Sequence, residues 1–233
     1  MPTLAAKHID TLMSNPWFAA LSDSIRQDLI ALARQRMLGE GKYLFRRGDK
    51  PDGLYVVLEG SVRVSGTSED GREAILNIYE PGVWLGEVST LGGSPRVFDA
   101  HAHTPTIALQ VSAEAMEVLL DRYPQLTRLL LRQACLRLRE MMEAFEAFST
   151  QTLEQRFAAR LLALSISFGT GSAQGRRIEL RLSQETLAQL VGATRQRVNQ
   201  LLKGWEAEGL IEQSYGRILV RNPEALRRLT QVS

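Results

Sequence analysis

Residues 124–149, PQLTRLLLRQACLRLREMMEAFEAFS, contain no glycine and no proline after Pro124, which stands where a first helical turn tolerates it. Apolar residues recur at Leu131, Ala134, Leu138, Met141, Phe145 and Phe148, in alternating steps of 3 and 4 that make an a/d heptad seam. The opposite face carries Arg132, Arg137, Arg139, Glu140, Glu143 and Glu146. Such a helix is roughly 40 Å long at about 1.5 Å per residue. Its apolar stripe needs cover, from the core of its own domain or from a second copy of itself. The heptad spacing favours self-pairing into a parallel dimer, with the rest of the chain hung from the two ends of the helix.

The flanks differ in kind. Residues 1–36 predict one or two short helices: Ser14-Asn15-Pro16 makes a turn, and Ser22 can cap a helix whose apolar positions Ile25, Leu29, Ile30 and Leu32 fit one helical face. From Gly39 the period shortens. Tyr43-Leu44-Phe45, LYVVLEGSVRVSG, EAILNIY and AHAHTPTIALQV read as strands, separated by glycine-containing turn signals about ten residues apart. That rhythm predicts a small antiparallel barrel or jelly roll over 39–111 with no helix inside it, and Asp70-Gly71 predicts a type I′ hairpin. Ser112 caps a short helix leading into the long one. After Ser149 a further helix ends at Gly169, GTGSAQGRR reads as a loop, and RIELRLS as a strand. The overall expectation is an α+β chain.

Charge divides the same way. Residues 1–149 hold 16 Lys+Arg against 19 Asp+Glu, a balance of −3, whereas residues 150–233 hold 12 against 7, a balance of +5. A small basic C-terminal part points to an acidic polymer as its partner. No apolar run approaches the ~20 residues that span a bilayer, and the first twenty residues lack a signal-peptide apolar stretch, so a cytoplasmic protein without a membrane partner is expected. The single cysteine, Cys135, excludes an internal disulfide framework and any multi-cysteine iron–sulfur or zinc site. As a lone thiol beside the seam, Cys135 is expected to be buried and inert. No P-loop, nucleophile elbow or metal-spaced His/Glu set is present, which argues against an enzyme.

The most specific segment is SQETLAQLVGATRQRVNQLL, residues 183–202, which has the layout of a helix-turn-helix. Ser183 caps the first helix and Thr194 the second. Ala188 is small where the helices cross, and Gly192 permits a left-handed turn residue. Leu187, Leu190, Val198 and Leu201 are expected to face inward. Arg195, Gln196, Asn199 and Gln200 are then exposed near the start of the second helix, and all can reach base edges, Arg toward guanine and the amides toward adenine. Arg197 and Lys203 are placed to meet phosphates. A capped helical hairpin with a merely polar outer face is the alternative; the absence of acidic residues over 192–203 speaks against it. LIEQSYGRILV then reads as a hairpin turning at Tyr215-Gly216, a wing whose Arg217 or Arg221 can touch the DNA backbone.

Taken together, LYVVLEGSVRV, DGREAILNIYEPGVWLGEVSTLGGSPR, the long helix and LSQETLAQLVGATRQRVNQLLKGWEAEGLI resemble the Crp/Fnr family of bacterial transcription regulators over nearly the whole chain. The resemblance implies an effector-binding β-roll with N-terminal helices over 1–122, a dimerisation helix over 123–149 and a winged helix-turn-helix over 150–233. It implies a homodimer on a pseudo-palindromic double-stranded DNA site, RNA polymerase as a partner, and an effector whose binding repositions the DNA-binding domains.

In the cyclic-nucleotide-binding members the phosphate cassette begins Gly-Glu and ends Arg-Ser or Arg-Thr. Here Gly86, Glu87 and Arg96 match, while the hydroxyl position is Val97, which cannot donate a hydrogen bond. Glu87 could accept from a ribose hydroxyl and Arg96 could pair a cyclic phosphate, or the two could form an ion pair with each other. Asp99 adds a carboxylate nearby in sequence. Met141 and Met142 stand where the cyclic-AMP members carry adenine-contacting hydroxyls. A cyclic nucleotide is therefore a possible effector, with cyclic AMP poorly matched. No metal or haem is expected: His101 and His103 share one face of a predicted strand, a pattern that more often packs than ligates.

Overall fold

The computed structural model describes residues 4–172 and 174–230. The chain forms two compact units, one of residues up to Gly66 together with Leu76–Glu140, the other of Thr67–Ile75 together with Met141 onward.

The first unit opens with three helices, α1 (Ala6–Met13), α2 (Pro16–Ala19) and α3 (Asp23–Leu32). Ser22 caps α3 as expected, whereas Asn15, expected only in a turn, caps the short α2, so the described N-terminal residues hold three helices where one or two were expected. The helical reading of residues up to 36 runs too far. Strand β1 (Arg34–Leu38) begins inside it, because Arg34 to Leu38 pair with Gln110 to Thr106 along an exposed sheet edge. An edge strand that leaves Arg34, Gln35 and Arg36 in solvent has no alternating apolar pattern to betray it.

The strands then run β2 (Tyr43–Phe45), β3 (Gly53–Glu59), β4 (Val62–Thr67), β5 (Glu73–Tyr79) and β6 (Trp84–Leu85). After them come helix α4 (Glu87–Gly92), β7 (Asp99–Ala102) and β8 (Thr106–Ser112). They make two four-stranded sheets, ordered β1-β8-β3-β6 and β2-β7-β4-β5. Strand β3 contributes to both apolar layers: Leu54, Val56 and Leu58 pack with Trp17, Phe18, Trp84, Leu109 and Val111, whereas Tyr55 and Val57 pack with Phe45, Val62, Leu85 and Ala100. An unbroken apolar run buried on both faces is the signature of a central strand.

Three expectations for this region are corrected. Helix α4 interrupts the strands, but six residues between Gly86 and Gly93 are too few to show a period. The stretch AHAHTPTIALQV is two strands with a break at 103–105, so His103 lies off the strand and does not share its face with His101. His101 is buried and accepts a hydrogen bond from Arg63 Nε at 2.7 Å. Finally, Gly71 has φ +81° but Asp70 is not at positive φ, so the β4–β5 turn is not type I′. The Gly71 amide bonds the Ser68 carbonyl at 2.9 Å, a four-residue turn closed by a left-handed glycine.

Helix α5 (Ala113–Arg122), capped by Ser112, leads into α6 (Pro124–Thr150), 27 residues without a break. Only Leu126 and Leu130 of α6 are buried. Leu131, Leu138, Met141, Met142, Phe145 and Phe148 are exposed, Phe145 to 74%. Cys135 is exposed as well, contrary to the expectation of a buried thiol, because it sits beside this uncovered face.

The second unit holds α7 (Leu153–Ser167), β9 (Gly169–Ser172), β10 (Gly175–Ile178), α8 (Gln184–Val191), α9 (Arg195–Ala207), β11 (Ile211–Ser214), β12 (Arg217–Val220) and α10 (Pro223–Leu229). Thr152 and Gln155 form a capping box at the start of α7. Phe157 of α7 stacks on Trp205 of α9 with ring centroids 5.0 Å apart, and the Trp205 indole N–H donates to Glu154 at 3.1 Å. The expected loop GTGSAQGRR instead supplies β9 and β10, and the strand expected over RIELRLS ends at Ile178. Pairing with β12 and β9 in the order β11-β12-β10-β9 fixes both.

Candidate DNA interface and β-roll site

In the helix-turn-helix, Ser183 Oγ accepts from the Thr186 amide at 3.0 Å and Thr194 Oγ1 from the Arg197 amide at 3.3 Å. Each hydroxyl satisfies a first-turn N–H that has no partner within its helix. Gly192 between them has φ +66°, the left-handed conformation that a Cβ would strain. The inner face is Leu187, Ala188, Val191, Val198, Leu202 and Trp205. Leu190 and Leu201 are only half-buried. The correction is one residue in each helix: Val198, Leu202 and Trp205 follow the 3.6-residue turn more closely than Val198 and Leu201.

The outer face is polar and basic. Arg195, Gln196, Arg197, Gln200 and Lys203 are exposed and Asn199 half-buried. Arg197 donates to Gln200 Oε1 at 3.1 Å. Gln184, at the start of α8, accepts from Arg195 Nε at 3.5 Å and donates to Asn199 Oδ1 at 3.1 Å. Gln184 was not singled out in the sequence. Its link to residues 11 and 15 positions away exists only once the two helices cross.

The β11–β12 hairpin turns at Tyr215-Gly216 with both residues at positive φ, +47° and +76°, a type I′ turn where the wing was expected. Tyr215 is 97% exposed. Arg217 faces Glu179 at 3.7 Å and Arg221 Nε bonds Glu212 at 3.0 Å, so both wing arginines have carboxylate partners. A tyrosine in the left-handed region costs roughly 1 kcal/mol, and asparagine tolerates it better. Tyr215→Asn is therefore expected to stabilise the isolated chain by about 0.5–1 kcal/mol, read as a rise in chemical-denaturation midpoint with unchanged slope. An unchanged or lower midpoint would mean that the turn is not strained.

In the β-roll, Gly86 has φ +96° and an ideal Cβ there would lie 2.8 Å from Arg96 Nη1 and 3.0 Å from the Gly53 carbonyl. Only glycine leaves room for that guanidinium. Arg96 is buried: Nη1 donates to the Gly86 carbonyl at 2.7 Å, and Nη2 to the Gly53 carbonyl at 2.6 Å and to Asp52 Oδ1 at 2.7 Å. Its plane lies over Phe45, 4.2 Å from the ring centroid. The other Asp52 oxygen accepts from Tyr55 Oη and from Gln110 Nε2. Burial and the adjacent Asp52 carboxylate push the Tyr55 hydroxyl well above the usual tyrosine range, so it stays a donor. Glu87 is 4% exposed and pairs with Arg137 of α6 at 2.9 Å. Arg137 also donates to the Trp84 carbonyl and lies over the Tyr79 ring. Glu87 and Arg96 thus do not pair with each other; each has its own partner, Arg137 and Asp52. Asp99 Oδ1 accepts from the Arg47 amide at 2.9 Å. Val97 is exposed, as are Met141 and Met142 on α6.

Residues 35–123 match the cyclic nucleotide-binding domain family, and residues 155–229 match the Crp-like helix-turn-helix domain family. The chain is 31% identical over 188 residues to the CRP-like cAMP-activated global transcriptional regulator of Mycobacterium tuberculosis, covering 81% of this chain and 84% of that protein. It is 30% identical over 187 residues to the global nitrogen regulator of Synechocystis, covering 79% and 83%. The chain belongs to the Crp/Fnr family of transcription regulators. Among solved structures, a CRP/FNR-family regulator from Thermus thermophilus is 26% identical at a TM-score of 0.71, covering 84% of this chain and 98% of that one. FixK2 from Bradyrhizobium japonicum shares the fold at 21% identity and a TM-score of 0.77, covering 86% and 98%.

Membership of the Crp/Fnr family makes residues 155–229 a DNA-binding domain and residues 35–123 a domain of cyclic nucleotide-binding type. Among the described residues no helix is long and apolar enough to cross a membrane. Two features of this Crp/Fnr β-roll were out of reach in the sequence: Asp52 as the partner of Arg96, and Arg137 as the partner of Glu87. In the sequence Arg137 belongs to the charged face of a heptad helix, and nothing local marks it as the one that turns inward.

Proposed function

We propose that this Crp/Fnr chain is a homodimeric, sequence-specific regulator that binds a pseudo-palindromic site. Its domains divide as 1–122, 123–149 and 150–233. Each α9 enters a major groove, with half-sites about one helical turn apart. Arg195, Gln196, Asn199 and Gln200 read bases, while Ser183, Thr194, Arg197, Lys203 and Arg217 meet the backbone. The observation that carries this reading is the outer face of α9: a cluster of basic and amide side chains, exposed or half-exposed at the N-terminal end of a helix whose inner face is fully engaged. RNA polymerase is the protein partner, the cell interior the setting, and no catalytic step is assigned.

The test is a binding titration on an operator selected from random duplexes. Arg195→Ala is expected to lose about 1–3 kcal/mol per half-site and to relax preference at one base pair in each. Unchanged affinity and preference would remove α9 from the role of recognition helix.

In the same reading the β-roll takes a small effector through Gly86, Glu87, Arg96 and Val97. A second reading, in which the β-roll is a scaffold and DNA binding needs no effector, is favoured by one observation. Arg96 is already neutralised by Asp52 and Glu87 by Arg137, so neither retained cassette charge waits for a ligand. Calorimetry with cyclic AMP, cyclic GMP and cyclic di-GMP separates the two. Heat of binding to any of them supports gating, whereas null titrations with tight operator binding by the unliganded protein support the scaffold.

A further inference from the structure

We propose that Gln184 is a positioning residue for base readout: its amide bridges Arg195 and Asn199 and aims both at the DNA. The proposal rests on the reading of α9 as the recognition helix and adds a residue of the preceding helix to its specificity. Capping of α8 is done by Ser183, so the Gln184 side chain is not needed for that task. Instead it reaches across to α9, where Arg195 and Asn199 lie one turn apart on the same side.

The chemistry of the bridge suits the groups that it holds. The Gln184 carbonyl faces the Arg195 guanidinium, and its NH2 faces the Asn199 carbonyl. Because Arg195 is held through Nε, its two Nη groups remain free to form the fork that matches guanine O6 and N7. Because Asn199 gives up one lone pair of Oδ1, it keeps its NH2 donor and a second lone pair, the complement of adenine N7 and N6. Two flexible side chains are thereby restrained before DNA arrives, which lowers the ordering cost of the contacts they make. The neighbouring Arg197–Gln200 pair is a separate contact on the same helix.

The experiment uses the full-length chain and the operator that it enriches from a random duplex pool. Arg195→Ala and Asn199→Ala first assign which base pair each residue reads. Affinities for every single-base variant of the site are then measured for the wild type, Gln184→Leu and Gln184→Glu. Gln184→Leu is expected to bind the selected site about tenfold more weakly and to lose preference at those two base pairs only, the scale of one bidentate contact. Its dependence of affinity on salt is expected to match that of the wild type, since no phosphate contact is lost. Gln184→Glu keeps an acceptor for Arg195 but has no donor for Asn199. It is expected to retain preference at the Arg195 base pair and to lose it at the Asn199 base pair. A carboxylate is favourable in the first turn of α8, so this variant folds.

The proposal is overturned if Gln184→Leu keeps wild-type preference at both positions, or if Gln184→Glu loses both equally. It is also overturned by a uniform loss of affinity with a shallower salt dependence, which would make Gln184 a phosphate contact. A wild-type chain that enriches no motif fails earlier, at the recognition-helix reading, and is distinguishable on that ground.

Discussion

Replacing Arg96 by alanine is expected to cost the unliganded protein about 3 kcal/mol, seen as a fall of roughly 10 °C in the melting temperature of the β-roll. The side chain is 1% exposed, whereas its partner Asp52 is 44% exposed. The charge left behind can therefore be partly rehydrated, which keeps the penalty below that of a fully buried pair. The two carbonyls that Arg96 holds each keep another donor: Thr90 Oγ1 bonds Gly53 at 2.9 Å and the Thr90 amide bonds Gly86 at 3.1 Å. What is lost outright is the ion pair, the packing of the guanidinium on Phe45, and the volume that Gly86 was left open to admit. Arg96→Lys is expected to recover less than half, because an ammonium cannot serve carbonyl and carboxylate acceptors in a fixed planar fork. Calorimetric melting without any nucleotide is the deciding measurement. If Arg96 served only a ligand, its removal would leave the unliganded melting temperature where it was.

That contrast shows where the sequence is informative and where it stops. The cassette Gly86, Glu87 and Arg96 is legible because the family resemblance carries it, but resemblance gives positions and not partners. Arg96 meets Asp52 across 44 residues, and nothing in the local pattern of either residue reports the other. The helix-turn-helix is legible for the opposite reason. Ser183, Gly192 and Thr194 act within four residues of themselves, through caps and one left-handed turn, so local chemistry is enough. Its inner face came out one residue off because helical periodicity fixes a stripe and not a single member of it.

The strand errors have a common cause. Strands β1, β9 and β10 are polar or glycine-rich and owe their conformation to neighbours, Arg34 to Gln110 in one case and Arg177 to Leu219 in another. Where β-structure comes from pairing more than from side-chain preference, composition does not announce it. The two turns make the point in miniature. Asp70-Gly71 has the favoured residues for a type I′ turn and does not form one. Tyr215-Gly216 has an unfavoured tyrosine and does, because the short strands β11 and β12 leave only two residues to connect them.

Leu138→Arg is expected to convert the protein from a species of twice 26.0 kDa to one of 26.0 kDa in sedimentation, and to weaken operator binding by about a hundredfold or more. In a parallel pair of α6 helices each seam residue meets its own copy, so the substitution puts two like charges into a desolvated contact. Leu131, Leu138, Met141, Phe145 and Phe148 are all exposed in the single chain, which favours a second copy over the core of their own domain as their cover. For the same reason the substitution touches no buried packing, and the variant is expected to keep its helical circular dichroism. The affinity loss follows from arithmetic and not from a lost base contact. A dimer joins two half-site encounters at an effective concentration set by its rigid helix pair, and a monomer must bind each half-site alone. A control at Arg132, on the charged face of the same helix, is expected to leave mass and affinity unchanged when replaced by glutamate. If the Leu138→Arg protein stays dimeric at micromolar concentration while the fold is intact, the pairing surface is elsewhere. The exposed aromatic and aliphatic row of α6 would then need another partner.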